Sequence, residues 1–338
     1  MRKYAFVFIF LLLGCVALSS CTTWQPGKSG QRKIQQKTFV ILGASSGFGR
    51  GVAEQLGRYK ANVVIAARRT ALLEQIAAII DSSGGKALVV TADASNPEDI
   101  QRLSDAAVAR FGKIDVWINM AGIATVGKFW DVPPADQARV IDVNLKGVLY
   151  GSHIAIAVFR KQGYGTLINM GSVESELPVA YQVAYSASKA GVRSLGLALS
   201  QELRIDGYKK IKVVTIEPWA ADTPFWRHLA NYTGGAPSML AMDPPSKIVN
   251  AVLRKSLRPR REVPVGWKAH SAWGMHHMLP RFTERITANV GHHYQIKFGP
   301  PVQDTVGAIY QPMKIGTGIE DGARERMKQH KKIKRAKK

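Results

Sequence analysis

Thr38-Phe39-Val40-Ile41-Leu42, followed by Gly43-Ala44-Ser45-Ser46-Gly47-Phe48-Gly49, is the stretch on which the fold turns. A short β-rich apolar run ends at a glycine, and the spaced glycines open a segment of helical composition. Strand, sharp glycine turn and helix are the context that a dinucleotide-binding loop requires. Glycine permits the turn and lets the backbone approach a pyrophosphate, while the helix N-terminus offers unpaired N–H groups and a partial positive charge. Gly43, Ser45, Ser46, Gly47, Phe48 and Gly49 are therefore the expected cofactor cradle.

Working outward, the strand character of Thr38 to Leu42 recurs at Val63 to Ala67, Ala87 to Thr91, Val116 to Asn119, Thr166 to Met170 and Lys212 to Glu217. Helix-like stretches lie between these runs. Such alternation predicts an α/β fold, a doubly wound, mostly parallel, Rossmann-like sheet with helices on both faces. No 20- to 50-residue repeat is present. After Pro218 the pattern degrades: Thr233 to Pro245 is rich in Gly, Pro and Met, Arg254 to Arg261 is basic, and Pro264 to Gly266 suggests a last strand. The expected organisation is a targeting segment at 1–21, a linker at 22–36, the main domain at 37–267, a C-terminal extension at 268–322 and a basic tail at 323–338.

The 338 residues are 46% hydrophobic, enough for a full core, and carry a formal charge of +23. Residues 323–338 hold nine Lys or Arg against one Glu and read as a solvated, disordered tail. A positive balance favours contact with polyanions, but no nucleic-acid recognition module accompanies it, so no specific nucleic acid is expected as a partner. The two cysteines, Cys15 and Cys21, both precede the main domain, which excludes a disulfide framework or thiolate metal site there. Histidines 270, 276, 277, 292 and 293 cluster without carboxylates in matching register, so no metal is expected.

Met1-Arg2-Lys3 and the apolar run Ala5 to Leu18 have the form of a targeting segment too short to span a bilayer comfortably. Leu18-Ser19-Ser20-Cys21 resembles the lipobox of bacterial lipoproteins, which implies acylation at Cys21 and attachment to a membrane surface, with the basic tail as an accessory contact. Lys28, Arg32, Lys33 and Lys37 favour the alternative, an uncleaved anchor with a cytoplasmic domain.

An NAD-selective site of this architecture places an acid at the end of the second strand to bind the ribose 2′-hydroxyl. Here the sequence is Ala66-Ala67-Arg68-Arg69. With no acid and two guanidinium groups, the pocket is expected to favour the 2′-phosphate of NADP(H) over NAD(H). Tyr185 and Lys189 stand four apart in a helical stretch, so their heads share one face. A nearby ammonium stabilises a phenolate, making Tyr185 a proton donor or acceptor near neutral pH.

With these residues in place, the chain resembles the short-chain dehydrogenase/reductase family from about Lys37 to Thr223. The resemblance implies that Asp93 contacts adenine, that Asn119, Ala121 and Gly122 form the element after the fourth strand, and that Pro218, Trp219 and Thr223 receive the nicotinamide end. It further implies that Asn144 holds a water of a proton relay, that Ser172 orients the substrate carbonyl, and that Lys189 binds the ribose and lowers the Tyr185 pKa. Hydride would pass between nicotinamide and a carbonyl or alcohol carbon of a small, hydrophobic substrate met by the loop from Phe225 to Asp243. Homo-oligomers, dimers or tetramers, packed through the helix of Tyr185 are implied as well. The competing expectation is a non-catalytic NADP(H)-binding regulator. Three positions depart from the family pattern: Leu42 for Thr, Met120 for Asn, and Trp219 for Gly, the last expected to restrict substrate size.

Overall fold

The computed structural model describes residues 26–35 and 37–336. In chain order the elements begin with α1 (Lys28–Ile34), β1 (Thr38–Leu42), α2 (Gly47–Arg58), β2 (Asn62–Ala67), α3 (Thr70–Ser82), β3 (Lys86–Thr91), α4 (Pro97–Phe111) and β4 (Val116–Asn119). They continue with β5 (Thr125–Val126), α5 (Pro134–Ile141), a π-helical turn at Asp142–Lys146, α6 (Gly147–Gln162), β6 (Gly165–Met170), a 3-10 turn at Val173–Ser175, α7 (Val183–Ile205) and β7 (Ile211–Pro218). The rest comprises α8 (Phe225–His228), β8 (Ala230–Asn231), α9 (Pro245–Leu257), β9 (Glu262–Val265), α10 (Gly266–Met278), α11 (Pro280–His292), a π turn at His293–Lys297 and α12 (Ala323–Ala336).

Seven strands form one sheet in the order β3-β2-β1-β4-β6-β7-β9, and every neighbouring pair is parallel. Both faces of the sheet are covered, and β1 shows why its sequence is continuously apolar. Phe39 and Ile41 feed one core with Val63, Ile65, Leu56 and Ile80. Val40 and Leu42 point the other way, into a second core with Val64, Ile100, Trp117 and Phe159. Alternate residues of one buried strand thus supply two cores. The chain leaves β3 at one edge and re-enters at β4 on the far side of β1. That reversal opens a crevice above the carboxyl ends of β1 and β4, where ligands bind in doubly wound sheets.

Two segments differ from the sequence expectation. Residues 28–34 of the expected linker form α1, whose Ile34 is fully buried in the first core. The basic tail is helical over Ala323–Ala336. Its N-terminus is capped from a distance by Asp222, whose carboxylate accepts from Ala323 N (2.7 Å) and Arg324 N (3.1 Å). A carboxylate at a helix N-terminus satisfies orphan amides and complements the macrodipole, and a cap 101 residues away in sequence has no local signature.

Residues 1–25, including Cys15 and Cys21, lie outside the described residues. Among the described residues no helix is long and apolar enough to cross a membrane, and no group of three or more His, Cys, Asp or Glu could hold a metal ion.

Candidate active site

The glycine loop is held by backbone. Gly43 N and Ala44 N both donate to Ala66 O (2.7 and 3.0 Å), while Met120 N and Ala121 N both donate to Leu42 O (2.8 Å each). Gly43 has φ +102°, and a Cβ there would lie 2.4 Å from Ala121 N; one on Gly49 would lie 2.1 Å from Gly43 O. Neither position accepts a side chain, because turn and helix start pack backbone on backbone. At Gly122, by contrast, a Cβ would come no nearer than 3.7 Å to Lys189 Nζ and Asn144 Oδ1. Protein packing does not demand that glycine; its bareness leaves room in the crevice beside the Lys189 ammonium.

The crevice has a volume of about 250 Å³ and runs from the glycine loop past Ser172 and Tyr185 to Trp219 and Thr223. Arg68, Arg69, Asp93, Ala121, Gly122, Lys189 and Pro218 also line it. Two expected site residues do not. Asn119 is buried beneath the crevice floor, accepting from Trp117 Nε1 (2.8 Å) and donating to Asn169 Oδ1 (2.9 Å). It ties β4 to β6, and no side-chain atom is left to face a cofactor. Asn144, in the π turn, accepts from Ile123 N and donates to Ile123 O (2.9 Å each), with a second bond to Ser188 Oγ at 3.1 Å. It stands just behind Lys189. A π turn inserts one residue into a helix and re-aims the side chains beyond the insertion, which is how α5 and α6 bring this amide to the helix of Tyr185.

Tyr185 and Lys189 project together from the first turns of α7. Lys189 Nζ donates to Met170 O (2.7 Å) and lies 5.5 Å from the Tyr185 ring centroid. Ser172, at the end of β6, accepts from Glu174 N at 3.1 Å and caps the 3-10 turn. Because its oxygen is the acceptor in that bond, its proton stays free to be donated into the crevice that it lines together with Tyr185.

Glu174 stands out in no sequence pattern, yet it lines the crevice. Its buried carboxyl accepts from Ser186 Oγ at 2.6 Å. Burial pushes its pKa up to about 8, against the opposing pull of the Ser186 hydroxyl and the Lys189 ammonium. Burial likewise brings Lys189 down to about 8, with Glu174 pulling the other way. Tyr185 is raised above the ordinary phenol value, first by burial and then by the Glu174 carboxylate, while Ser172 draws it down. Burial and the Glu174 carboxyl thus set the direction of the Tyr185 shift, while Lys189 directs one of its N–H groups at Met170 O. A Glu two residues after the Ser is visible in the sequence, but only folding aims it inward.

A second feature comes from the C-terminal extension. Residues 308–318 run as a strap along the nucleotide end of the crevice. Arg68 donates to Tyr310 O (2.6 Å) and Ala308 O (2.7 Å), Arg139 to Ile309 O (3.1 Å), Arg69 to Met313 O (3.3 Å) and Arg50 to Thr317 O (3.0 Å). Gly47 N of the glycine loop donates to Gly318 O (2.9 Å). Arg69 also reaches Ser45 Oγ (2.9 Å) and Ser46 Oγ (2.8 Å). The two guanidinium groups that the sequence leaves available are thus already engaged, though each keeps further N–H donors. Asp93 accepts from Ser95 N (2.8 Å) and from Arg139 (2.9 Å); burial would raise its pKa, but those bonds and the Arg68 charge hold it below the ordinary carboxylate value.

A glycine loop, an acid-free β2 end with two arginines, and a Ser/Tyr/Lys group at the far end form a cleft suited to a nicotinamide dinucleotide. Comparison with known proteins agrees at the level of fold and family. The family model described as short chain dehydrogenase matches residues 37–232. An uncharacterized oxidoreductase, YxnA of Bacillus subtilis (strain 168), is 29% identical over 293 residues, which cover 86% of this chain and 81% of that protein. The structure of an alcohol dehydrogenase from the archaeon Thermococcus sibiricus, complexed with 5-hydroxy-NADP, has TM-score 0.58 and 25% identity, covering 69% of this chain and 94% of that one. A short-chain dehydrogenase/reductase from Burkholderia phymatum in complex with NAD has TM-score 0.65 and 23% identity, covering 80% of this chain and 99% of that one.

Proposed function

This chain belongs to the short chain dehydrogenase family, and on that premise we propose that it is an NADP(H)-dependent carbonyl reductase or alcohol dehydrogenase acting on a hydrophobic substrate. The observation that carries the reading is the convergence of Ser172, Tyr185 and Lys189 at one end of a crevice whose other end holds the glycine loop, Arg68 and Arg69. The solved neighbours hold an NADP derivative in one case and NAD in the other, and the choice of NADP(H) is supported from this chain's own residues, by the absence of an acid at Ala67 and the two arginines that follow it.

Nicotinamide supplies or accepts the hydride when bound. The chain's residues do the rest. Ser172, its proton free, donates to the substrate oxygen. Tyr185 gives that oxygen a proton in reduction and takes one in oxidation. Lys189 commits one N–H to Met170 O, which leaves two to hold the ribose. Trp219, whose Nε1 donates to Leu240 O at 3.1 Å, joins Phe225, Trp226 and Met239 in an apolar wall for the substrate.

NADPH consumption by the purified chain across aldehydes, ketones, 3-oxoacyl compounds and steroid-like ketones tests the activity, and parallel titration with NADPH and NADH tests the cofactor. Equal affinity for the two would refute the NADP(H) assignment; no turnover on any class would refute the enzyme. We further propose attachment to a membrane through acylation at Cys21, which metabolic labelling with a radioactive fatty acid checks: the label should vanish in Cys21→Ala.

A further inference from the structure

Helices α10 and α11 turn the usual amphipathic arrangement inside out. The positions that α11 buries are Thr283, Thr287 and Gly291, and α10 buries only Ala269. Their large apolar residues face solvent instead: Met278 is 75% exposed, Leu279 55%, Phe282 56% and Ile286 42%. A surface helix ordinarily packs its apolar stripe on the core, and contiguous exposed apolar groups of this size mark a contact surface.

The charge beside this ridge selects the partner. Arg281 and Arg285 precede Phe282 and Ile286 by one residue, so a basic stripe runs alongside the apolar one. Both are exposed, and neither takes part in a hydrogen bond or ion pair among the described residues. The only acid from residue 266 to residue 298 is Glu284. Helix α12, with seven Lys or Arg against Glu325, is fastened nearby, Lys334 Nζ donating to Lys297 O (3.2 Å) and His330 packing on Phe298 (5.4 Å between ring centroids). An apolar stripe flanked by unpaired cations is the pattern of a helix lying in the headgroup region of an anionic bilayer. A second copy of the same cationic face would be repelled.

We propose that the outer face of α10 and α11 is a membrane-contact surface, seating Met278, Leu279, Phe282 and Ile286 in the interface of an anionic lipid bilayer. The inner side of the same helix touches the substrate end of the crevice. Val290 packs on the cluster containing Met239 and Trp226, and a Cβ at Gly291 would lie 3.4 Å from Val179 Cγ1; Met239, Trp226 and Val179 all line the crevice. A bilayer docked on α11 lies one helix away from the apolar wall, which suits a substrate dissolved in lipid. That consequence rests on the proposed oxidoreductase activity, whereas the surface itself does not.

The test uses the full chain carrying Cys15→Ser and Cys21→Ser, which removes acylation and leaves no other cysteine. An environment-sensitive dye is attached at Phe282→Cys or Ile286→Cys, with Asp105→Cys on α4 as the control. On vesicles of phosphatidylcholine containing about one-third phosphatidylglycerol, the α11 labels should shift to the blue and be quenched by lipid-borne nitroxides, and the control should not. In about 1 M NaCl the effect should weaken through screening of the headgroup attraction. In the same cysteine-free background, Phe282→Ser with Ile286→Ser should lower partitioning into these vesicles on the order of tenfold, with NADPH affinity unchanged. Labels on α11 that behave like the control would overturn the proposal. So would labels shielded without vesicles in a concentration-dependent way, which would assign the face to a second copy. Because the readout is dye position and not turnover, it separates failure of this surface from failure of the enzymatic reading.

Discussion

Glu174 Oε2 accepts a 2.6 Å hydrogen bond from Ser186 Oγ. That bond holds a carboxyl between the turn that carries Ser172 and the helix that carries Tyr185 and Lys189. The group is raised to about 8 by burial and in turn raises the phenol.

Glu174→Gln removes the carboxylate while keeping the bond to Ser186. Since that carboxylate raises Tyr185, its loss should lower the phenol, and the acid limb of alcohol oxidation should move to lower pH by about one unit. The sign for stability comes from linkage. A carboxyl raised from 4.5 to about 8 on folding contributes stability that is complete below its unfolded value and is lost as pH rises through about 8. Thermal unfolding should therefore show the variant gaining on the parent as pH climbs across that window. A pH–rate profile that does not move would end the assignment of Glu174 as a group acting on the phenol.

Tyr185→Phe keeps the ring and deletes the proton carrier. Turnover should fall at least about 100-fold, the range in which a general acid operates, while NADPH affinity measured by fluorescence titration stays within about threefold, a shift of well under 1 kcal/mol. Turnover that survives this change would leave the chain as a cofactor-binding protein with another role.

Arg68→Ala removes two bonds to the strap and one of the two guanidinium groups at the β2 end. The loss should be about 10- to 100-fold in NADPH affinity, with a smaller loss for NADH, because only the former presents a 2′-phosphate for a charge-assisted bond. Equal losses for both cofactors would assign Arg68 to the strap alone.

Asn119→Ala provides the structural counterpart. Its amide joins Trp117, on its own strand, to Asn169 of β6, both buried. Truncation strands those groups and should destabilise the fold by about 1–3 kcal/mol in a denaturant titration. Cofactor affinity should not change. A loss of affinity without a loss of stability would return Asn119 to the cofactor site.

Much of the site was legible from local pattern. The glycine loop is implied by the strand before it and the helix after it, and Tyr185 with Lys189 by helical spacing, since each relation spans only a few residues. Asn119 reads as a cofactor residue through its motif, but strand alternation turns its amide inward to bridge two strands. Glu174 carries no periodic or motif signal, and its role comes from α7 closing over it.

The sequence by itself determined the parallel α/β architecture, the location of the nucleotide crevice and the pairing of Tyr185 with Lys189. Hydrophobic periodicity and glycine turns act over one or two elements, where a linear pattern and a local geometry are the same information. Only the tertiary structure decided that residues 308–318 return to lie on Arg68 and Arg69, that Asp222 caps α12, and that Phe282 and Ile286 face outward. Those relations join positions as much as 244 residues apart through backbone carbonyls, long-range caps and helix rotation, none of which leaves a periodic trace in the chain.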